Sequence, residues 1–175
     1  MYFGHFPFIP YDSVGDGEFK VVTNLLRRVA IRSKVKENTL VFDTYDVKSG
    51  ETPEEIADKL YNDPELHWVV LLMNDITHRY HQWPLNQNQF IAHINDKYDN
   101  IDATHHYEIS QTSGDTTIKI DIGTDNSDHS GATAITNYEY EEARQDELRK
   151  IRLLDPAYID AFVDEFKRLM KESIL

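Results

Sequence analysis

The chain has no cysteine, which excludes disulfides, thiolate metal sites and a cysteine nucleophile. Glycine and proline are scarce, at 7 and 6 of 175 residues, so wholesale disorder does not fit the composition. No apolar run approaches the roughly 20 residues of a membrane span. The start, Met1-Tyr2-Phe3-Gly4-His5-Phe6-Pro7, lacks the basic region and continuous apolar stretch of a signal peptide. Synthesis and use in the cytoplasm are therefore expected. Basic side chains are also few, with 18 Lys and Arg against 31 Asp and Glu for a net charge of -13.

That deficit is uneven. Residues 1–44 hold 6 basic and 5 acidic side chains, leaving 12 against 26 in residues 45–175. Nucleic-acid affinity comes chiefly from cations neutralising phosphates, so the acidic part is a poor partner for a phosphate backbone, and anionic lipid is disfavoured for the same reason. No nucleic acid and no membrane are expected among the partners. With 40% hydrophobic residues, the length suits one well-buried core, or a small module with extensions packed on it.

The first eleven residues carry Tyr2, Phe3, Phe6, Phe8, Ile9 and Tyr11 around Pro7 and Pro10 with no regular period. They read as an extended apolar arm that must cover its own domain or another chain. After a loop at Gly15 and Gly17, Phe19 to Arg32 has apolar positions compatible with a short helix carrying Arg27, Arg28 and Arg32. Residues 40–48 read as a strand ended by Ser49-Gly50. Thr52, Pro53 and Glu55 then form a capping-box start for a helix through Ile56, Ala57 and Leu60. Asp63-Pro64-Glu65 opens a second helix, Leu66 to Met73, which is apolar nearly all round and so needs cover on more than one face.

Trp83-Pro84-Leu85 fits a short return strand, and Asn86 caps a third helix through Phe90, Ile91, Ile94 and Tyr98. His105 to Ser110 and Thr116 to Ile122 read as strands joined at Ser113-Gly114-Asp115. Residues 123–137 are polar and read as a mobile surface loop. Charged helix formers follow from Tyr138 to Lys150, then a short strand Ile151 to Leu154. Asp155-Pro156 opens a last helix with Ile159, Phe162, Val163, Phe166, Leu169 and Met170 on one stripe. It docks on its own domain or lies in a partner's groove.

No reactive constellation emerges. His78 with His81 and His105 with His106 are the obvious histidine pairs, yet a metal site needs three or four convergent ligands. Asp121, Asp125, Asn126 and Asp128 lack the spacing of a calcium loop. No phosphate-binding glycine loop or nucleophile elbow is present. The expectation is no catalytic residue, no metal, no cofactor and no enzyme. A cell-wall glycan hydrolase is the weakest of the readings kept open.

Tyr45, Val47, Gly50, Thr52, Ile56, Ala57 and Asn74 follow, in order, the pattern of a LysM module, which residues 45–74 resemble. A wider match runs over nearly the whole chain. It includes the aromatic arm, Val22-Thr23-Asn24-Leu25-Leu26-Arg27-Arg28-Val29, Tyr45 to Glu51, Leu60 to Trp68, Asn74-Asp75-Ile76, Trp83-Pro84-Leu85 and Glu147 to Arg152 before the terminal helix. Together these resemble the small baseplate wedge protein of contractile-tailed bacteriophages.

The resemblance implies an α+β chain with a single LysM-like (β-α-α-β) core, an N-terminal arm and helix, a β-hairpin insertion and a C-terminal amphipathic helix. The expected segments are 1–39 (arm and helix), 40–86 (LysM-like module), 87–137 (helix, hairpin and polar loop) and 138–175 (C-terminal helical region). The implied function is structural. Several copies in the virion tail baseplate, assembled in the host cytoplasm, bind the wedge core and join adjacent wedges. The partners are other baseplate wedge and tail proteins. The residues expected to meet them are Tyr2, Phe3, Phe6, Phe8, Arg27, Arg28 and Trp83. The alternative is a carbohydrate-binding module for peptidoglycan or chitin.

Overall fold

The computed structural model describes residues 2–31, 41–112 and 117–172. A 3-10 turn at Tyr2–His5 leads into strands β1 (Phe8–Tyr11), β2 (Lys20–Thr23) and β3 (Phe42–Asp46). Helix α1 (Pro53–Tyr61), a 3-10 turn at Pro64–Leu66, and helices α2 (His67–Met73), α3 (Arg79–Gln82) and α4 (Gln87–Lys97) follow. The rest of the chain comprises β4 (Thr104–Ser110), β5 (Lys119–Asp121), β6 (Thr133–Thr136), α5 (Asn137–Arg149), β7 (Lys150–Leu154) and α6 (Ile159–Glu172). Helices and strands intermix, as expected of an α+β chain.

The described residues belong to two compact units. One contains residues up to Asp46, Glu51–Gln82 and Ile151 onward; the other contains Val47–Gly50 and Trp83–Lys150.

In the first unit, local chemistry starts α1 as its sequence indicates. The Thr52 side chain accepts the Glu55 N–H while the Glu55 carboxylate accepts the Thr52 N–H at 2.8 Å, with Pro53 in the first turn. Thr52→Ala removes one half of that exchange and is expected to cost about 1 kcal/mol, read as a lowered urea midpoint with an unchanged slope. Asp63 caps the 3-10 turn that feeds α2. Asn74 stops α2 with its side chain: Nδ2 donates to the Val70 and Arg152 carbonyls, and Oδ1 accepts the Arg152 N–H, each at 2.8 Å. A single amide thereby satisfies both a helix end and the backbone of β7.

The core of this unit gathers Phe6, Trp68, Val69, Met73, Leu154, Ile159, Phe166 and Met170, with Tyr2, Phe162 and Val163 packed against it. Trp68 lies 4.5 Å from Phe166, 5.4 Å from Tyr2 and 6.0 Å from Phe162, ring centre to ring centre. The all-round apolar character of α2 is thus met from within the chain: Trp68, Val69, Val70 and Met73 are buried. The α6 stripe docks on its own unit through Ile159, Phe166 and Met170.

A buried carboxylate sits beside α1. Glu51 accepts the Tyr45 hydroxyl at 2.9 Å and is paired with Lys59 Nζ. At the end of the helix, the Tyr61 hydroxyl donates to the Leu154 carbonyl at 3.0 Å, and burial pushes its pKa up to about 12.

In the second unit, β4 is the central strand of a β5-β4-β6 sheet, antiparallel to both neighbours. Capping boxes at Asn86 and Thr136 start α4 and α5. Val47, Trp83, Phe90 and Ile94 are buried here, and Phe90 meets Tyr138 edge to face at 5.5 Å. The Gln145 side chain, also buried, accepts the Leu85 N–H at 2.8 Å.

Four expectations need correction. Residues 19–31 form no helix: β2 pairs in register with β1, from Phe8↔Thr23 to Tyr11↔Lys20, because the β-branched run Val21-Val22-Thr23 finds a strand partner in the arm. Arg32 lies outside the described residues. The arm is extended only in part: Tyr2–His5 form a 3-10 turn, and Phe8–Tyr11 are the strand. Trp83-Pro84-Leu85 is not a strand; β3 pairs instead with β7, which comes from a distant part of the chain. Finally, residues 133–136 within the expected polar loop form β6, since Thr133 to Thr136 find partners along β4. The turn expected at Ser113-Gly114-Asp115 lies outside the described residues.

Candidate functional site: an exposed hairpin and its groove

The β1–β2 hairpin is built on a loop wound around one side chain. The Asp12 carboxylate accepts the N–H groups of Val14, Gly15 and Gly17 at 3.1, 2.6 and 2.9 Å. Gly15 and Gly17 take φ of +81° and +85°, a region that side chains with a Cβ resist. The bonds from Gly17 and Gly15 hold the Asp12 carboxyl below its ordinary pKa. Asp12, itself only partly exposed, thus fixes the course of the loop.

The hairpin displays apolar surface instead of hiding it. Phe3 is 60% exposed, Phe8 72%, Val21 75% and Leu26 90%, with Tyr11, Phe19 and Leu25 also open. Exposed large apolar side chains gathered on and beside one short hairpin are a usual mark of an interaction surface. At the hairpin base, a groove of about 480 Å³ is lined by Phe8, Ile9, Leu26, Val29, Leu169 and Met170, with Arg27 and Arg28 at its polar margin. Arg27 is anchored: its Nη1 donates to the Met170 carbonyl at 2.7 Å. Arg28 is exposed.

The residues expected from sequence to meet partners therefore separate into groups. Tyr2 and Phe6 enter the aromatic cluster, with Tyr2 5.0 Å from Phe6 and 5.8 Å from Phe166. Phe3 and Phe8 face solvent, and Phe8, Arg27 and Arg28 share the groove. Trp83 is buried in the second unit. Val21, Leu26 and Leu169 were not among the residues expected from sequence to meet partners. The paired glycines before a β-branched run were the signal for the hairpin.

The second unit contains a separate charged cluster. Glu141 is 1% exposed and accepts Lys97 Nζ at 2.6 Å and the Tyr98 hydroxyl at 2.9 Å, with Arg144 at 3.5 Å. His105 stacks on Tyr140 at 3.8 Å, and its Nδ1 lies 2.9 Å from that of His106. Among the described residues, no three His, Cys, Asp or Glu side chains converge as a metal site would require. Asp121 and Asp125 instead cap turns through the N–H groups of Gly123 and Ser127.

An acidic chain with an apolar, arginine-edged hairpin on open display belongs to the class of proteins that assemble with other proteins. The sequence comparison names the family. The family model described as "Base plate wedge protein 53" matches residues 1–129, which include the whole hairpin, and the chain belongs to that family. It is also 26% identical over 151 residues to "Baseplate wedge protein gp53" of Enterobacteria phage T4, a match covering 74% of each chain.

Proposed function

We propose that this protein is a non-catalytic structural subunit of a phage tail baseplate, present in several copies, that binds the wedge core and joins adjacent wedges by protein–protein contacts. The observation that carries the reading is the β1–β2 hairpin: its apolar side chains face water in the single chain, whereas α2 is covered from within. Family membership supplies the setting, the tail baseplate of the virion.

Co-expression with the other baseplate wedge proteins of the same phage, followed by sizing, tests the proposal. The wild-type chain is expected to co-elute with at least one of them. Phe8→Ala and Leu26→Ala, which remove exposed contact surface, are each expected to weaken that association about tenfold, or about 1.4 kcal/mol, while leaving the free chain's stability unchanged. Failure of the wild-type chain to co-elute with any of them would overturn the function.

A further inference from the structure

The hairpin has two outer edges, and they are not equivalent. The Asn24 N–H donates to the Pro7 carbonyl at 2.8 Å, and the register places Ile9 opposite Val22 and Tyr11 opposite Lys20. In an antiparallel ladder, hydrogen-bonded and non-bonded pairs alternate. Ile9/Val22 and Tyr11/Lys20 are therefore the bonded pairs, while Phe8/Thr23 and Pro10/Val21 direct their backbone groups outward. On the β1 edge, one of those outward positions is Pro10, which has no N–H to donate. On the β2 edge, Val21 and Thr23 each present both an N–H and a carbonyl. Among the described residues, no third strand joins this sheet.

We infer that the β2 edge receives an extended segment of a neighbouring baseplate protein, which adds as a third strand and carries carboxylates among alternating apolar side chains. The inference rests on the proposed function and specifies how its contact is made. Strand addition uses backbone bonds for affinity and side-chain positions for choice of partner. Lys20 lies on β2, and Arg27 and Arg28, a few residues beyond its end at Thr23, form the margin of the apolar groove at the hairpin base. The hairpin's own carboxylates, Asp12, Asp16 and Glu18, stand in its connecting loop, whereas residues 20–31 hold these three cations and no carboxylate, so this edge selects an acidic, apolar strand. The Asp12-centred loop holds the edge in place before any partner arrives, which lowers the ordering cost of binding.

The test uses the full chain, alone and in the complex obtained by co-expression with the other baseplate wedge proteins. Hydrogen–deuterium exchange of the wild-type chain is expected to show fast exchange at the Val21 and Thr23 amides when free, and at least about tenfold slower exchange in the complex. Thr23→Pro removes an outward donor without touching a bonded pair of the hairpin. It is expected to weaken retention about tenfold or more while leaving Ile9 and Val22 protection as in the wild type. Amides at 21 and 23 that exchange equally fast in the complex would overturn the inference. So would undiminished binding by Thr23→Pro, or protection of those amides in a self-associated form of the isolated chain. Absence of any co-eluting protein overturns the proposed function, and this inference with it; a complex whose 21 and 23 amides stay unprotected overturns only the inference.

Discussion

Trp68→Ala is expected to destabilise the first unit by about 3–5 kcal/mol, the usual cost of truncating a large aromatic in a closed core. Trp68 is 5% exposed and touches rings contributed by both ends of the described chain, Tyr2 near the start and Phe166 in α6. Its removal leaves a cavity bordered by three separate segments, and no single rotamer change can fill it. The two tryptophans make the measurement selective, because Trp68 belongs to the first unit and Trp83 to the second. Denaturant unfolding is best followed by circular dichroism, with Trp83 fluorescence reporting the second unit alone. A loss below about 1 kcal/mol would mean that the aromatic cluster is not a packed core.

Glu141→Gln is expected to change how stability depends on pH. Burial by itself raises the pKa of this carboxyl. The hydrogen bonds from Lys97 and Tyr98, with the charges of Lys97 and Arg144, outweigh burial and bring it below its ordinary 4.5. Since the folded value is the lower one, the contribution is fully present above about pH 4.5 and is lost as pH falls through the folded pKa. The wild type should therefore lose stability more steeply than Glu141→Gln as pH falls below the ordinary carboxyl value of 4.5, since Gln has no proton to take up at this site. At neutral pH the substitution is expected to cost about 1–3 kcal/mol, since charge-assisted bonds become neutral ones while Lys97 remains partly hydrated. Parallel pH profiles for the two proteins would refute the assignment.

The parts of the fold legible in sequence were those closed over a few residues. Thr52 with Glu55 and Asn86 with Gln89 announce helix starts because cap and recipient are three positions apart. The α6 stripe is equally local, set by the 3.6-residue period. The hairpin was obscured because Val21, Val22, Leu25, Leu26 and Val29 also fit a helical spacing; the strand state prevails because β1 lies within reach across the Asp12 loop. The apolar excess of α2 was visible, but its cover was not, since that cover comes from Phe6 and from Phe166 and Met170, about a hundred residues further on. The Glu141 cluster had no sequence signature at all. Its partners Lys97 and Tyr98 lie more than forty positions away, among many other charges.

The sequence by itself determined the α+β character, most helix boundaries, the charge imbalance and the kinship with baseplate wedge proteins, because each is written in composition or in short-range spacing. The tertiary structure alone decided which aromatics of the arm are sealed and which face water, which strand completes the pair with β3, and which edge of the hairpin stays open. Those outcomes depend on chain closures between distant segments, where burial and backbone pairing override local preference.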